Sequence, residues 1–156
     1  MSFLPESSFP ELNLPTADLS IFEMGGKQYV YDPIRKKELV LTPEEWVRQH
    51  LIHYLIVFMH YPKSLFVLER GLSYNNLAKR LDIMVMDRNG KPFLIIECKA
   101  PEVVLSQRTL EQVFVYNQRL RARYIAVSNG LKHVVLAYSM QLQNYVPMKS
   151  FPKFDE

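Results

Sequence analysis

Apolar and polar positions change period several times along the chain, and each change marks an element. Ser20-Ile21-Phe22-Glu23-Met24 and Lys27-Gln28-Tyr29-Val30-Tyr31 flank Gly25-Gly26, which predicts two short strands around a tight turn, closed by Asp32-Pro33. Thr42-Pro43-Glu44-Glu45 then reads as a helix start, with Thr42 as N-cap, Pro43 at the first position and Glu45 as the capping-box partner. Val47, Leu51, Leu55 and Phe58 recur at helical spacing behind it, and the helix is expected to stop near Tyr61-Pro62. Three strand signals follow, at Leu65–Leu68, Leu81–Met86 and Pro92–Ile96. The second and third are joined through Asn89-Gly90 as a hairpin, and the third is apolar on both faces, as a covered central strand should be. Leu110, Val113, Phe114 and Leu120 predict a second helix over about 105–121, and strands are expected at Tyr124–Val127 and His133–Ala137.

The order hairpin, helix, three strands, helix, two strands predicts a mixed α/β domain, a central sheet flanked by helices. Pro5, Pro10 and Pro15 make residues 1–20 an extended or disordered arm. The domain is then expected over 21–145, with an irregular tail over 146–156 that contains Pro147 and Pro152.

Composition narrows the class. In 156 residues, 48% are hydrophobic, enough for one core without cross-links, and a single cysteine, Cys98, allows no disulfide within the chain. No CxxC or HxxxH pair suggests structural zinc. No apolar run is long enough to span a membrane, and the N-terminus lacks the basic and apolar regions of a signal peptide, so a cytoplasmic protein is expected. No GxxxxGK[ST] loop is present, so no nucleotide cofactor is expected. The net charge of +3 is compatible with a nucleic-acid partner and too small to predict one.

The candidate chemistry lies between Arg80 and Lys99. Asp82 is expected to open one strand of the Asn89-Gly90 hairpin, and Glu97-Cys98-Lys99 to close the other. Antiparallel pairing brings those two ends together, and period-two alternation puts Glu97 and Lys99 on one face. Two carboxylates at one place repel, and a divalent cation such as Mg2+ or Mn2+ removes that cost while presenting water and phosphate to each other. The carbonyl of Cys98 is a further candidate ligand. The plainer alternative is a solvated strand end with an ordinary Glu-Lys pair.

Asp82 with Glu97-Cys98-Lys99 resembles the PD-(D/E)xK nuclease superfamily, although Leu81 stands where the motif's name has proline. Gln112-Val113-Phe114-Val115-Tyr116 is similar to the QxxxY motif on the helix after the ExK strand in RecB-like members. Tyr31-Asp32-Pro33-Ile34-Arg35, Thr42–Gln49 and the ECK strand are similar to the N-terminal nuclease domain of type I restriction enzyme R subunits. The resemblance covers roughly residues 29–138 and implies a restriction-endonuclease-like core and Mg2+-dependent hydrolysis of DNA. In that frame Asp82 and Glu97 hold metal, Lys99 assists the attacking water, and Gln112 supports the site. Glu44, in phase with Val47 and Leu51, is a weaker ligand candidate; its plainer role is a first-turn carboxylate facing the helix dipole. Arg48, Lys79, Arg80 and Tyr116 are candidate DNA contacts; the plainer readings are a Glu44 pair at i, i+4 for Arg48, solvated surface charge for Lys79 and Arg80, and a polar helix face for Gln112 and Tyr116. One site per chain favours a homodimer, or two successive nicks, for cutting a duplex. The competing function is a binding or docking module on the same fold.

Overall fold

The computed structural model describes residues 9–74 and 77–154, with the backbone alone for 69–74 and 77–80. Strands β1 (Ile21–Met24), β2 (Lys27–Asp32) and β3 (Lys37–Val40) form an antiparallel sheet in that order. Gly25 and Gly26, at φ +61° and +79°, supply the two left-handed residues that a tight hairpin turn requires. β3 was not expected, because Lys37-Glu38-Leu39-Val40 has little apolar pattern. It exists because the Asp32 carboxylate accepts the amides of Ile34 (2.8 Å) and Arg35 (3.0 Å) and reverses the chain.

Helix α1 (Pro43–His53) begins as the sequence predicts, with Thr42 Oγ1 accepting the Glu45 amide at 3.1 Å. The reciprocal half of the capping box is absent: Glu45's carboxylate turns inward to Arg35 and Gln49 instead. The helix passes into a π-helical turn over Tyr54–Phe58 and stops short of Tyr61, where His60 adopts φ +59°.

The second sheet has six strands in the order β4-β5-β6-β7-β8-β9: β4 (Phe66–Tyr74), β5 (Leu77–Met86), β6 (Pro92–Cys98), β7 (Tyr124–Ser128), β8 (His133–Ser139) and β9 (Asn144–Met148). Neighbours are antiparallel except β6 and β7, which run parallel and are linked by helix α2 (Gln107–Leu120). The sheet is therefore mixed, as expected from the strand–helix order. β9 corrects the expectation of an irregular tail from residue 146. Pro147, opposite Leu136, sits on an edge strand, where a missing N–H is tolerated. The rest of the tail is packed as well: Phe151 is buried and the Tyr61 hydroxyl donates to the Pro152 carbonyl.

α1 and the π-helical turn after it cover one face of the six-stranded sheet, with Val47, Leu51 and Ile52 of α1 and Leu55 of the turn against Ile83, Val85, Leu94 and Ile96. The α2 side buries Val113 and Tyr116 with Met84, Ile95, Ile125 and Val127. β6 is thus covered on both sides, and Phe93 to Ile96 are fully buried. Residues 9–20 are extended but not loose: Phe9 stacks on Trp46, the Trp46 indole donates to the Pro10 carbonyl at 3.0 Å, and Asn13 donates to the Gly130 carbonyl at 2.8 Å. Among the described residues, no helix is long and apolar enough to cross a membrane.

Candidate metal centre

The β5–β6 ladder runs from Met86↔Pro92 to Ile83↔Ile96 and ends there. β5 continues beyond that rung, paired with β4 as far as Leu77. Asp82 therefore does not open its strand, as the sequence suggested; it lies within β5, at the point where the β5–β6 ladder stops. The polar stretch from Glu69 to Arg80 carries no clear alternation, which is why the longer β4–β5 hairpin was not legible.

Asp82 takes over where the ladder stops. Its Oδ2 accepts the Cys98 amide at 2.7 Å. Lys99 Nζ lies 3.5 Å from Glu97 Oε1, so these two side chains share a face as alternation requires, and the Lys99 amide is tied to the Ser128 carbonyl of β7 at 2.8 Å. Asp82 Oδ1 faces Arg48 Nη2 at 3.5 Å. Glu97 Oε2 is buried and makes no hydrogen bond within the described structure.

Burial sets the protonation of this group. It raises the Asp82 carboxyl above its ordinary value, against the Cys98 amide and the Arg48 charge, which pull it down. Burial, then the neighbouring Asp82 charge, pushes Glu97 up to about 7, with Lys99 opposing. Two desolvated carboxyls in mutual reach, one of them with an unsatisfied oxygen, are the donor set a hard divalent cation fits. Among the described residues, no three Asp, Glu, His or Cys side chains converge as a metal site.

Of the other expected residues, Tyr116, Glu44 and Cys98 interact electrostatically with this pair. Tyr116 on α2 is buried, and its phenol is pushed up to about 12 by burial and by the charges of Glu97 and Asp82, which places it within their field. Gln112 is half-buried one turn earlier on the same helix. Glu44 is exposed, yet its charge helps to raise Asp82. The Cys98 thiol is buried and held well above its ordinary value by that burial, then by the Asp82 charge, so it is a neutral packing group. Lys79 and Arg80 lie on β5, and their side chains are outside the described residues.

Arg48 departs from expectation. Instead of presenting its charge to solvent for DNA, it is buried, with Nε 3.3 Å from Glu45 Oε2 and Nη2 on Asp82. Behind it lies an ionic cluster that the sequence reading missed. Arg35 Nη2 reaches Glu45 Oε1 at 3.2 Å and Arg35 Nε reaches Asp32 Oδ2 at 2.7 Å. Gln49 donates to both Asp32 and Glu45 at 3.1 Å. Burial alone would raise Asp32, but hydrogen bonds from the Arg35 amide and guanidinium outweigh it and hold the carboxyl below its ordinary value. Glu45, Arg48 and Gln49 at i, i+3 and i+4 gave the available signal: three polar residues on one helical face, next to an Asp-Pro turn with its own arginine.

Among curated proteins, no relative matches the chain. Among solved structures, a fragment described as an HsdR subunit of a type I restriction enzyme from Vibrio vulnificus YJ016 is similar, at 17% identity and a TM-score of 0.40. The similarity covers 56% of this chain and 19% of that one, so this chain spans under a fifth of its neighbour's length. Residues 43–152 match the family described as the type I restriction enzyme R protein N terminus. That match takes in α1, the whole six-stranded sheet and α2, and on it the chain belongs to the family of type I restriction enzyme R protein N-terminal regions.

Proposed function

We propose that this domain hydrolyses DNA phosphodiester bonds with Mg2+ or Mn2+, as a PD-(D/E)xK nuclease. The observation that carries the proposal is the half-buried Asp82–Glu97 carboxyl pair with the Lys99 ammonium 3.5 Å from Glu97. Family membership supplies the substrate class, since a restriction enzyme acts on DNA. Asp82 and Glu97, with the Cys98 carbonyl, would hold the ion, which supplies Lewis acidity at a phosphoryl oxygen and a more acidic water.

The chain's own groups do the rest. The Cys98 amide fixes one oxygen of Asp82. Lys99, anchored through its backbone to β7, orients the attacking water and offsets charge on the phosphate. Tyr116 lies within the field of the pair from α2, and Gln112, one turn earlier on that helix, would support it.

Plasmid nicking in Mg2+, wild type against Lys99→Ala, tests the reading. The wild type should nick and the variant should be slower by at least about 100-fold, the scale of a positioned proton-transfer group. Equal rates in the two proteins, or equal nicking in EDTA, would sink it and leave a binding module on the same fold.

A further inference from the structure

We propose that Arg48 is a positioning residue for Asp82, and that the Asp32–Arg35 turn, acting through Glu45, holds Arg48 in place. This rests on the reading of Asp82 as a metal ligand. Arg48 is 6% exposed, and its guanidinium lies between two acids on different elements: Glu45 one turn back on α1, and Asp82 on β5. Asp82 is consequently held at Oδ2 by a hydrogen bond from the Cys98 amide at 2.7 Å and faced at Oδ1 by the Arg48 guanidinium, an ion pair at 3.5 Å. A carboxylate oxygen has two lone pairs, so each still has one for a cation.

The support extends outward through ion pairs and hydrogen bonds, the Arg48–Glu45 link being an ion pair alone, since Arg48 Nε makes no hydrogen bond in the described structure. Glu45 is held by Arg35 at 3.2 Å and by Gln49 at 3.1 Å, and both of these also bind the fully buried Asp32. Burying this many charges is costly and is weak evidence for added stability, so we read the cluster as fixing geometry. Here the cluster ends on a proposed ligand. Hydrogen-bond partners behind a metal ligand typically change metal affinity 10- to 100-fold.

The charge of Arg48 works the other way once the carboxyls are ionised. A cation beside a cation site repels the ion, so at a pH high enough for ionisation to be complete, deleting the charge by itself would tighten binding, and the titration is run there. The sign of the change then separates positioning from simple electrostatics.

Mn2+ alone, titrated and followed by the electron paramagnetic resonance of the free ion, supplies the readout. The proteins are the wild type, Arg48→Met, Glu45→Gln, Arg35→Met and the Arg35→Met/Arg48→Met double variant, each checked by near-UV circular dichroism. Arg48→Met should weaken Mn2+ binding by about 10- to 100-fold. Glu45→Gln and Arg35→Met should weaken it less, and Arg35→Met should add nothing once Arg48 is gone. Unchanged or tighter binding by a folded Arg48→Met overturns the inference while leaving the metal site standing. If Arg48→Met loses its near-UV signal, Glu45→Gln decides, and unchanged affinity there overturns it. A wild type that binds no Mn2+ removes the metal reading and this inference with it.

Discussion

Asp82 and Cys98 are joined by a side-chain-to-backbone hydrogen bond, Cys98 N to Asp82 Oδ2 at 2.7 Å, just past the last rung of the β5–β6 ladder. The side chain thus satisfies a strand donor that the neighbouring strand no longer meets.

The relationship separates two substitutions at one position. Asp82→Asn keeps an oxygen for the Cys98 amide and loses the charge. Its melting temperature should stay near the wild type's, while Mg2+-dependent nicking disappears. Asp82→Ala orphans the amide as well and should destabilise by a further ~1–3 kcal/mol. Thermal melts beside plasmid nicking read both; a nicking-competent Asp82→Asn would remove Asp82 from the site.

Glu97 gives a pH prediction with a definite sign. Its carboxyl is raised from 4.5 to about 7, by burial first and by Asp82 second. Between those values the folded protein binds more protons than the unfolded one, so stability falls as pH rises. The contribution is complete below about 4.5 and gone once pH has passed about 7. Urea unfolding in EDTA across this window should show the decline, and Glu97→Gln should flatten it. Excess Mg2+ should flatten it too, because the ion selects the ionised carboxylate. A wild-type slope no steeper than that of Glu97→Gln would contradict the assignment.

Gly130 sits in the β7–β8 turn at φ +84°, and an added Cβ would lie 2.7 Å from Leu12 Cδ2. Gly130→Ala combines backbone strain with a clash against the arm and should cost about 1–3 kcal/mol. For a domain of this size that lowers the melting temperature by roughly 2–12 °C. Mn2+ affinity should not change. An unaltered melting temperature would show that the arm does not pack there.

Trp46, the single tryptophan, reports on the same arm through its indole bond to Pro10 and its stack with Phe9 at 5.4 Å. Phe9→Ala should red-shift its emission by admitting water to the ring, and Leu12→Ala should destabilise by about 2 kcal/mol. Emission unchanged in Phe9→Ala would mean that the ring is shielded by other groups.

The sequence made the elements that carry strong local signals legible. Asn89-Gly90 named the β5–β6 turn, Gly90 adopts φ +77°, and the hairpin it closes brings Asp82 beside Glu97. Thr42-Pro43 named the start of α1. What escaped lacked periodicity or depended on distant partners. β3 depends on the Asp32 turn behind it, and β9 contains a proline that only an edge position excuses. Glu45 was misread because a capping box and a buried ion cluster ask for the same residue, and only the position of Arg35 tells them apart.

The turn between β5 and β6 is five residues long, whereas β6 reaches its parallel partner β7 only across α2. Closing a short hairpin is entropically cheaper and faster than a crossover. Asp82 and Glu97 should accordingly meet early, in water, where like charges repel weakly; their desolvation arrives with helix docking. Folding rates would then respond to substitutions in the hairpin, and unfolding rates to those in α2. Nearness of the two acids is set by local chain closure, and their proton affinity by the last packing step.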